Sequence, residues 1–301
     1  MFSYDAFGLH IVSEIRLPEL DQRSEPDPPT RNGETVYIRR GTFERPEEAA
    51  DTVWYCEDDR MYLSFEAGEF RLHDGREILV DADPDADEDA LRLYVLGPAL
   101  NGILCQRLPL VLHASTVMLD EDAVAFVGPS GQGKSTMAAA CVRHGHRILS
   151  DDVAAVRFRD GSPFVLPGFS ASKLSQEASE TLDGSSRTFR STRTENRSDR
   201  HHHRVSQDLP SDPIPLKRLY LLEEADTVEI SPLPPKERLT EVLGNTFAPV
   251  QQSEIKTPAD YFQQCSRLVE SVPINRLTRP LSFGVLPSVV ECVESDLGGS
   301  S

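Results

Sequence analysis

Lysine is scarce in this 301-residue chain. Lys134, Lys173, Lys217, Lys236 and Lys256 are all there are, and arginine supplies nearly all the remaining basic charge. Against 49 acidic residues, the 31 basic ones leave a formal net charge of -18. A surface this acidic repels nucleic acid and anionic membrane, so neither is expected as a general partner. Two readings of the acidity stay open: plain solubility, or a high-salt cytoplasm in which salt screens the self-repulsion. Long apolar runs are also missing. No stretch of about 18 apolar residues exists to span a bilayer, and the most apolar region, 93–119, is broken by Asn101, Gln106, Arg107 and His113. The opening MFSYDAFGLHIVSEIRLPEL lacks the basic stretch and apolar core of a secretory signal. Cysteines number five, at 56, 105, 141, 265 and 292, without a CxxC pair. An odd, scattered set fits a reducing cytoplasm better than a disulfide framework or a zinc site. The expectation is therefore a cytoplasmic globular protein, long enough for one large domain or two smaller ones.

Short β-prone runs fill residues 1 to about 85: FGLHIVSEI, ETVYIRRGTF, MYLSFEAG, EFRLHDG and REILVDA, separated by Gly, Asp and Pro. They predict a small antiparallel sheet. DADEDALRLYVLGPALNGILCQRL follows, with an acidic start suited to a helix N-terminus and apolar residues at helical spacing. Gly97-Pro98 should kink it. The domain boundary is expected at this helix, giving a β-rich 1–106 and a second domain over 107–301. From Pro109 the texture is α/β. LVLHASTVML reads as one strand, AVAFVG as a second without charge, STMAAACVRHG as a helix capped at Gly145, HRILS and VAAVRF as strands. Residues 175–213, rich in Ser, Thr, Arg, Asp and His, read as a mobile loop or disordered insertion with a basic half over 187–204. LKRLYLLEE reads as a strand, PKERLTEVLGNTF and PADYFQQCSRLVESV as helices opened by proline, PINRLTRPLSFGVLP as strand and turn, and SVVECVESDL as a last helix.

GPSGQGKST, residues 128–136, fits G-x-x-x-x-G-K-[ST]. Glycines let the backbone curl so that its N–H groups converge on phosphate oxygens, and the helix that opens at the lysine points its positive end at the same anion. The expected nucleotide contacts are Gly128, Ser130, Gly131, Gln132, Gly133, Lys134, Ser135 and Thr136, with Lys134 reaching the β- and γ-phosphates and Ser135 holding Mg²⁺. Chance produces the pattern in roughly one chain in a hundred of this length. The apolar strand before it and the amphipathic helix after it weigh against the alternative, a Gly-rich turn with an exposed lysine. Asp151 and Asp152 end the next strand, where ligands gather in parallel α/β sheets. One can hold Mg²⁺, and the other can accept a proton from an attacking hydroxyl. An Asp-Asp pair elsewhere is usually a solvated turn; placement just beyond such a helix favours function. A lone strand histidine such as His113 is more often structural. The His201-His202-His203 run lacks the spacing that a fold imposes on metal ligands, and His146 reads as structural.

Taken together, LHASTV, GPSGQGKST and RHGHRILSDD resemble the HPr kinase/phosphorylase catalytic domain and its related serine kinases, in order and in spacing, over residues 109–157. The opening FGLHIVSEIRLPEL looks like the sheet-rich N-terminal part of related kinases that phosphorylate a serine of ribosomally made peptide precursors, such as lasso peptides. The resemblance implies an α/β fold: a P-loop kinase core of the HPr kinase / phosphoenolpyruvate carboxykinase type with a smaller N-terminal antiparallel β subdomain. It implies ATP and Mg²⁺, a protein or peptide phospho-acceptor, Asp151 as base, Asp152 and His113 in support, and Ser135 and Asp152 on the metal. Arg204 in the basic loop would close over substrate. HPr kinases are hexamers, so a homo-oligomer is implied as well, although the N-terminal part differs. Where the bifunctional family carries an EIRGLG-like signature this chain reads VLPGFSASKL, which argues against the dephosphorylating activity. The alternative from another class is an ATP-binding regulatory module without transfer. A mechanical ATPase is disfavoured because no LSGGQ-like signature is present.

Overall fold

The computed structural model describes residues 1–20, 35–50, 52–169, 171–175, 187–188, 200–204, 208–247 and 257–298; for 171–175, 187–188 and 200–204 this covers the backbone alone. The chain opens with β1 (Phe2–Ala6), β2 (Leu9–Ser13), β3 (Thr35–Arg40), β4 (Trp54–Glu57), β5 (Arg60–Phe65), β6 (Gly68–His73) and β7 (Glu77–Ala82). These form a 7-stranded sheet in the order β1-β2-β3-β7-β6-β5-β4. The sheet is mixed, which corrects the expectation of an antiparallel one: β3 runs parallel to both β2 and β7. Hairpin turns force antiparallel neighbours, whereas a long connection lets the chain cross and re-enter in the same sense. Ser13 and Thr35 are joined by such a connection, and β3 reaches β7 only after the β4–β6 meander. Asp and Gly at positive φ make the turns, as at Asp74-Gly75.

Helix α1 (Glu88–Tyr94) and helix α2 (Leu100–Arg107) are joined by a π-helical turn over Val95–Ala99 that contains Pro98. Proline has no N–H to donate and crowds the preceding turn, so the helix widens there instead of continuing. The apolar stripe, Leu91, Val95, Leu100, Ile103 and Leu104, packs on Ile38, Leu63, Phe70, Leu72 and Val80 of the sheet. At Gly102 the helix comes so close that a Cβ would lie 2.3 Å from Leu72 Cδ2. The same core takes in Val111, Val153, Ala155 and Leu166 from further along the chain.

A 9-stranded sheet follows, built from β8 (Leu110–Leu112), β9 (Ser115–Leu119), β10 (Asp122–Val127), β11 (Arg147–Ser150), β12 (Ala154–Arg159), β13 (Ser162–Leu166), β17 (Ile214–Glu224), β18 (Glu229–Pro232) and β19 (Ile274–Arg279). Its order is β11-β9-β10-β17-β13-β12-β8, with β19 also on β17 and β18 on β19. β10, β17 and β19 run parallel. Helices cover both faces: α3 (Lys134–Arg143) and α6 (Leu286–Gly298) on one, α4 (Pro235–Gly244) and α5 (Pro258–Ser271) on the other. This explains why AVAFV carries no charge. Ala123, Ala125 and Val127 face one core and Val124 and Phe126 the other, the mark of a strand buried on both sides. Gly145 closes α3, its N–H donating to Val142 O while His146 N–H donates to Cys141 O, a Schellman pair.

LVLHASTVML is two strands, not one. The chain bends at His113-Ala114, so β8 pairs with β12 while β9 pairs with β10 and β11. Within the 175–213 segment, the described backbone adds β15 (Arg187–Thr188) and β16 (Arg200–Arg204), which with β14 (Ala171–Ser175) make a 3-stranded antiparallel sheet. Most of the remaining insertion lies outside the described residues.

Candidate functional site

β11 is antiparallel to β9, and β9 is antiparallel to β10, so β10 and β11 run the same way with one strand between them. The carboxyl ends of β10, β11, β17 and β19 therefore meet at one edge. The register fixes their levels: Ser115 opposes Phe126, Thr116 opposes both Ala125 and Ser150, and Glu224 opposes Arg279. His113, the 128–133 loop, Asp151-Asp152 and Arg279 all leave the sheet there.

The 128–133 loop joins β10 to α3. Gly128, Gly131 and Gly133 hold φ of 139°, 92° and 78°, values that a side chain resists. Gly133 is the N-cap of α3, so the N–H groups of the first turn face the loop. Lys134 is 8% exposed, and its Nζ turns back to donate to Gly128 O at 2.8 Å and Pro129 O at 3.2 Å. Gly128 is buried, and its own N–H donates to Asn245 Oδ1 at 2.9 Å. Ser135 and Thr136 stand half-buried on the first turn, Gly131 and Ser130 are exposed, and Gln132 lies between.

Asp151 and Asp152 follow the end of β11, so both have left the strand's alternation. Asp151 Oδ1 accepts from Ser115 Oγ at 2.5 Å and from Asp152 N at 3.0 Å, which fixes that carboxylate's orientation. Asp152 sits at φ 74°, a left-handed conformation that asparagine and aspartate tolerate better than other side-chain-bearing residues. His113 Nδ1 lies 3.0 Å from Asp152 O and 3.6 Å from Asp152 Oδ1. A carbonyl can only accept, so Nδ1 carries a proton. His113 itself lies in the bend, not on a strand as expected, and its backbone N–H donates to Asn245 O at 2.7 Å.

Two residues that sequence reasoning passed over complete the cluster. Asn245, just past α4, accepts on its backbone O from His113 and on its side chain from Gly128, and donates through Nδ2 to Glu241 O at 2.8 Å. It ties the histidine bend to the loop. Arg279, the last residue of β19, is 3% exposed and donates through Nη2 to Gln132 O at 2.7 Å. Burial holds its guanidinium below the ordinary range, opposed in part by the field of Glu224. Asn245 carries no sequence signal of its own, lying in the tail of an amphipathic helix. Arg279 could have been flagged as a basic residue at the end of a strand, before a proline.

The placements of Gly128, Ser130, Gly131, Gln132, Gly133, Lys134, Ser135, Thr136, His113, Asp151 and Asp152 thus converge on one edge. For Arg204 only the backbone is described; it pairs with Ala171 and Arg187 in the small sheet. The VLPG stretch serves packing: a Cβ on Gly168 would lie 2.4 Å from Phe7 Cζ, and Phe7 N–H donates to Pro167 O at 2.7 Å. Among the described residues no three His, Cys, Asp or Glu side chains form a ready metal cage, and no helix is long and apolar enough to cross a membrane.

No family model matches the chain, and no curated protein does. Among solved structures, it is similar to the Hpr(Ser) kinase/phosphatase from Coxiella burnetii, with a TM-score of 0.30 and 8% identity over 62% of this chain and 95% of that one. A likeness this slight carries no argument about activity; the mixed α/β architecture stands on its own strand order.

Proposed function

We propose that this chain is an ATP-dependent kinase. More narrowly, it is a cytoplasmic serine kinase of the HPr kinase-like kind, moving the γ-phosphate of ATP to a serine hydroxyl of a protein or peptide. One observation carries the reading: the glycine loop with its helix, and the Asp151–Asp152–His113 cluster, stand at the same sheet edge with a single strand between them. Two strand spacings are roughly 10 Å, a gap that a triphosphate seated on the loop spans with its terminal phosphate toward the carboxylates.

The loop N–H groups and the head of α3 bind the phosphates, and Lys134 swings from its carbonyl partners onto them. Asp151, oriented by Ser115, accepts the proton of the acceptor hydroxyl. The oxygen of that hydroxyl forms the new bond to phosphorus, the bond to the bridging oxygen breaks, and ADP leaves with the electron pair. His113 and Asn245 keep the carboxylate turn and the loop in fixed relation. Mg²⁺ characteristically takes one or two carboxylates together with substrate phosphates; Asp152 would offer it a carboxylate and Ser135 a hydroxyl, and the ion when bound would supply charge neutralisation.

The test is transfer from γ-labelled ATP with Mg²⁺ to a lysate of the protein's own source. Lys134→Ala should abolish productive nucleotide use. Asp151→Asn should keep nucleotide binding and lose transfer; transfer at the wild-type rate would refute Asp151 as base. The VLPGFSASKL stretch, standing where the resembling family carries an EIRGLG-like glutamate signature, favours a second reading: a nucleotide-binding regulatory module. Nucleotide binding with no Asp151-dependent label would select it.

A further inference from the structure

Arg279 reaches the loop from the side, at a glycine whose missing side chain leaves it room. A Cβ on Gly133 would come within 2.4 Å of its Nη2. Its hydrogen bonds go to backbone carbonyls, Gln132 O at 2.7 Å and Pro280 O at 3.3 Å. Its Nε is buried without a hydrogen-bond partner among the described residues, and so is Gln132 Oε1. No carboxylate lies within ion-pairing distance of the guanidinium among the described residues. Glu224, its neighbour across the β17–β19 ladder, acts only through its field.

Two consequences follow from elementary geometry and electrostatics. In a trans peptide the carbonyl and the next N–H point in opposite directions. Holding Gln132 O against Arg279 therefore turns the Gly133 N–H away from the arginine. Secondly, a buried guanidinium satisfied only by carbonyls is costly in the ligand-free protein. An anion seated in the loop supplies the missing counter-charge.

We propose that Arg279 is the positioning residue of the nucleotide site: it locks the Gln132–Gly133 peptide with its N–H turned away from the guanidinium, and its buried charge makes the loop selective for ligands with a polyphosphate tail. The proposal rests on the nucleotide reading above. It predicts an affinity that climbs with phosphate number because of a residue outside the glycine loop itself.

Calorimetric titration of the full chain with MgATP, ADP, AMP and pyrophosphate tests it, alongside urea unfolding of the ligand-free protein. Arg279→Met keeps apolar bulk but removes charge and donors; Arg279→Lys keeps the charge. The Met variant should bind MgATP and pyrophosphate about tenfold or more weakly, with AMP little changed, so the ATP-over-AMP preference shrinks. Its ligand-free stability should equal or exceed wild type, since a buried uncompensated charge is gone. The Lys variant should recover part of the preference. An unchanged ATP-over-AMP preference in Arg279→Met overturns the proposal, as does an equal loss for all four ligands that follows a fall in stability and is not restored by lysine. If the wild type itself binds neither MgATP nor pyrophosphate, the nucleotide reading falls and the proposal with it, an outcome the wild-type titration separates from the others.

Discussion

Replacing Asn245 by alanine should damage both the fold and the site, and the structure sets the size of the damage. The side chain accepts from the buried Gly128 N–H at 2.9 Å and donates to Glu241 O at 2.8 Å. Truncation leaves the Gly128 donor without that acceptor, at about 1–3 kcal/mol, and forfeits a second hydrogen bond worth about 1 kcal/mol. The backbone bond from His113 N–H to Asn245 O survives in alanine. A total loss of about 2–4 kcal/mol is expected in urea unfolding. Asn245→Asp separates the two effects. It retains an acceptor for Gly128 and so keeps more stability than alanine, yet it sets a negative charge beside the glycine loop and should lose more MgATP affinity. The reasoning is refuted if the alanine variant unfolds within about 0.5 kcal/mol of wild type, or if the aspartate variant binds MgATP as tightly as the native protein.

Other outcomes can be measured with the same purified protein. Burial pushes the Cys141 thiol up to about 12. Its folded value lies above its unfolded one, so its stabilising contribution is complete below about pH 9 and is lost as pH rises toward 12, by up to about 1.4 kcal/mol per unit. Urea midpoints from pH 8 to 10.5 should fall more steeply for wild type than for Cys141→Ala, and equal slopes would count against this. At Asp152, φ 74° separates backbone strain from side-chain chemistry. Asp152→Ala and Asp152→Gly both lose the carboxylate, but only alanine keeps a Cβ in the left-handed region. Glycine should come out about 1 kcal/mol more stable by urea unfolding, and alanine equal to or better than glycine would contradict the assignment.

Strands and helices of the second sheet were readable because burial on both faces leaves a compositional mark: AVAFV without charge, STMAAAC with helical spacing, Gly145 at the stop. Likewise, the glycine loop announces itself, since its spacing of glycines before a helix that opens at a lysine is a pattern read directly from the residues. Three features were not readable. The parallel seating of β3 depends on where a long connection lands, which no local periodicity encodes. The bend at His113 falls inside an apolar run that looks continuous, and only the partner strands reveal that β8 and β9 belong to different neighbours. Asn245 and Arg279 act on residues 117 and 147 positions away; a basic residue ending a strand before a proline hints at Arg279, but the partners of both come from the fold.

The first sheet is also part of the scaffold of the site. Its β1–β2 hairpin turns at Phe7-Gly8 with φ of 55° and 67°, a conformation costly for a bulky aromatic residue. Something must offset that cost, and the ring does: Phe7 is 1% exposed, packs edge-on to Phe169 and fills the space that Gly168 leaves. Gly168 N–H in turn donates to Leu149 O at 2.8 Å, two residues before Asp151. On the other flank Trp54 of the first sheet meets Phe247 edge-on at 5.9 Å, and Phe247 N–H donates to Val111 O at 3.0 Å, which anchors the segment carrying Asn245. Both the carboxylate turn and the asparagine brace are thus held from the first sheet by an aromatic ring and a backbone hydrogen bond. A strained aromatic turn is retained where it is over-determined by packing, and here that packing leads within two residues to the acid pair. The N-terminal strands therefore help fix the geometry of the cluster.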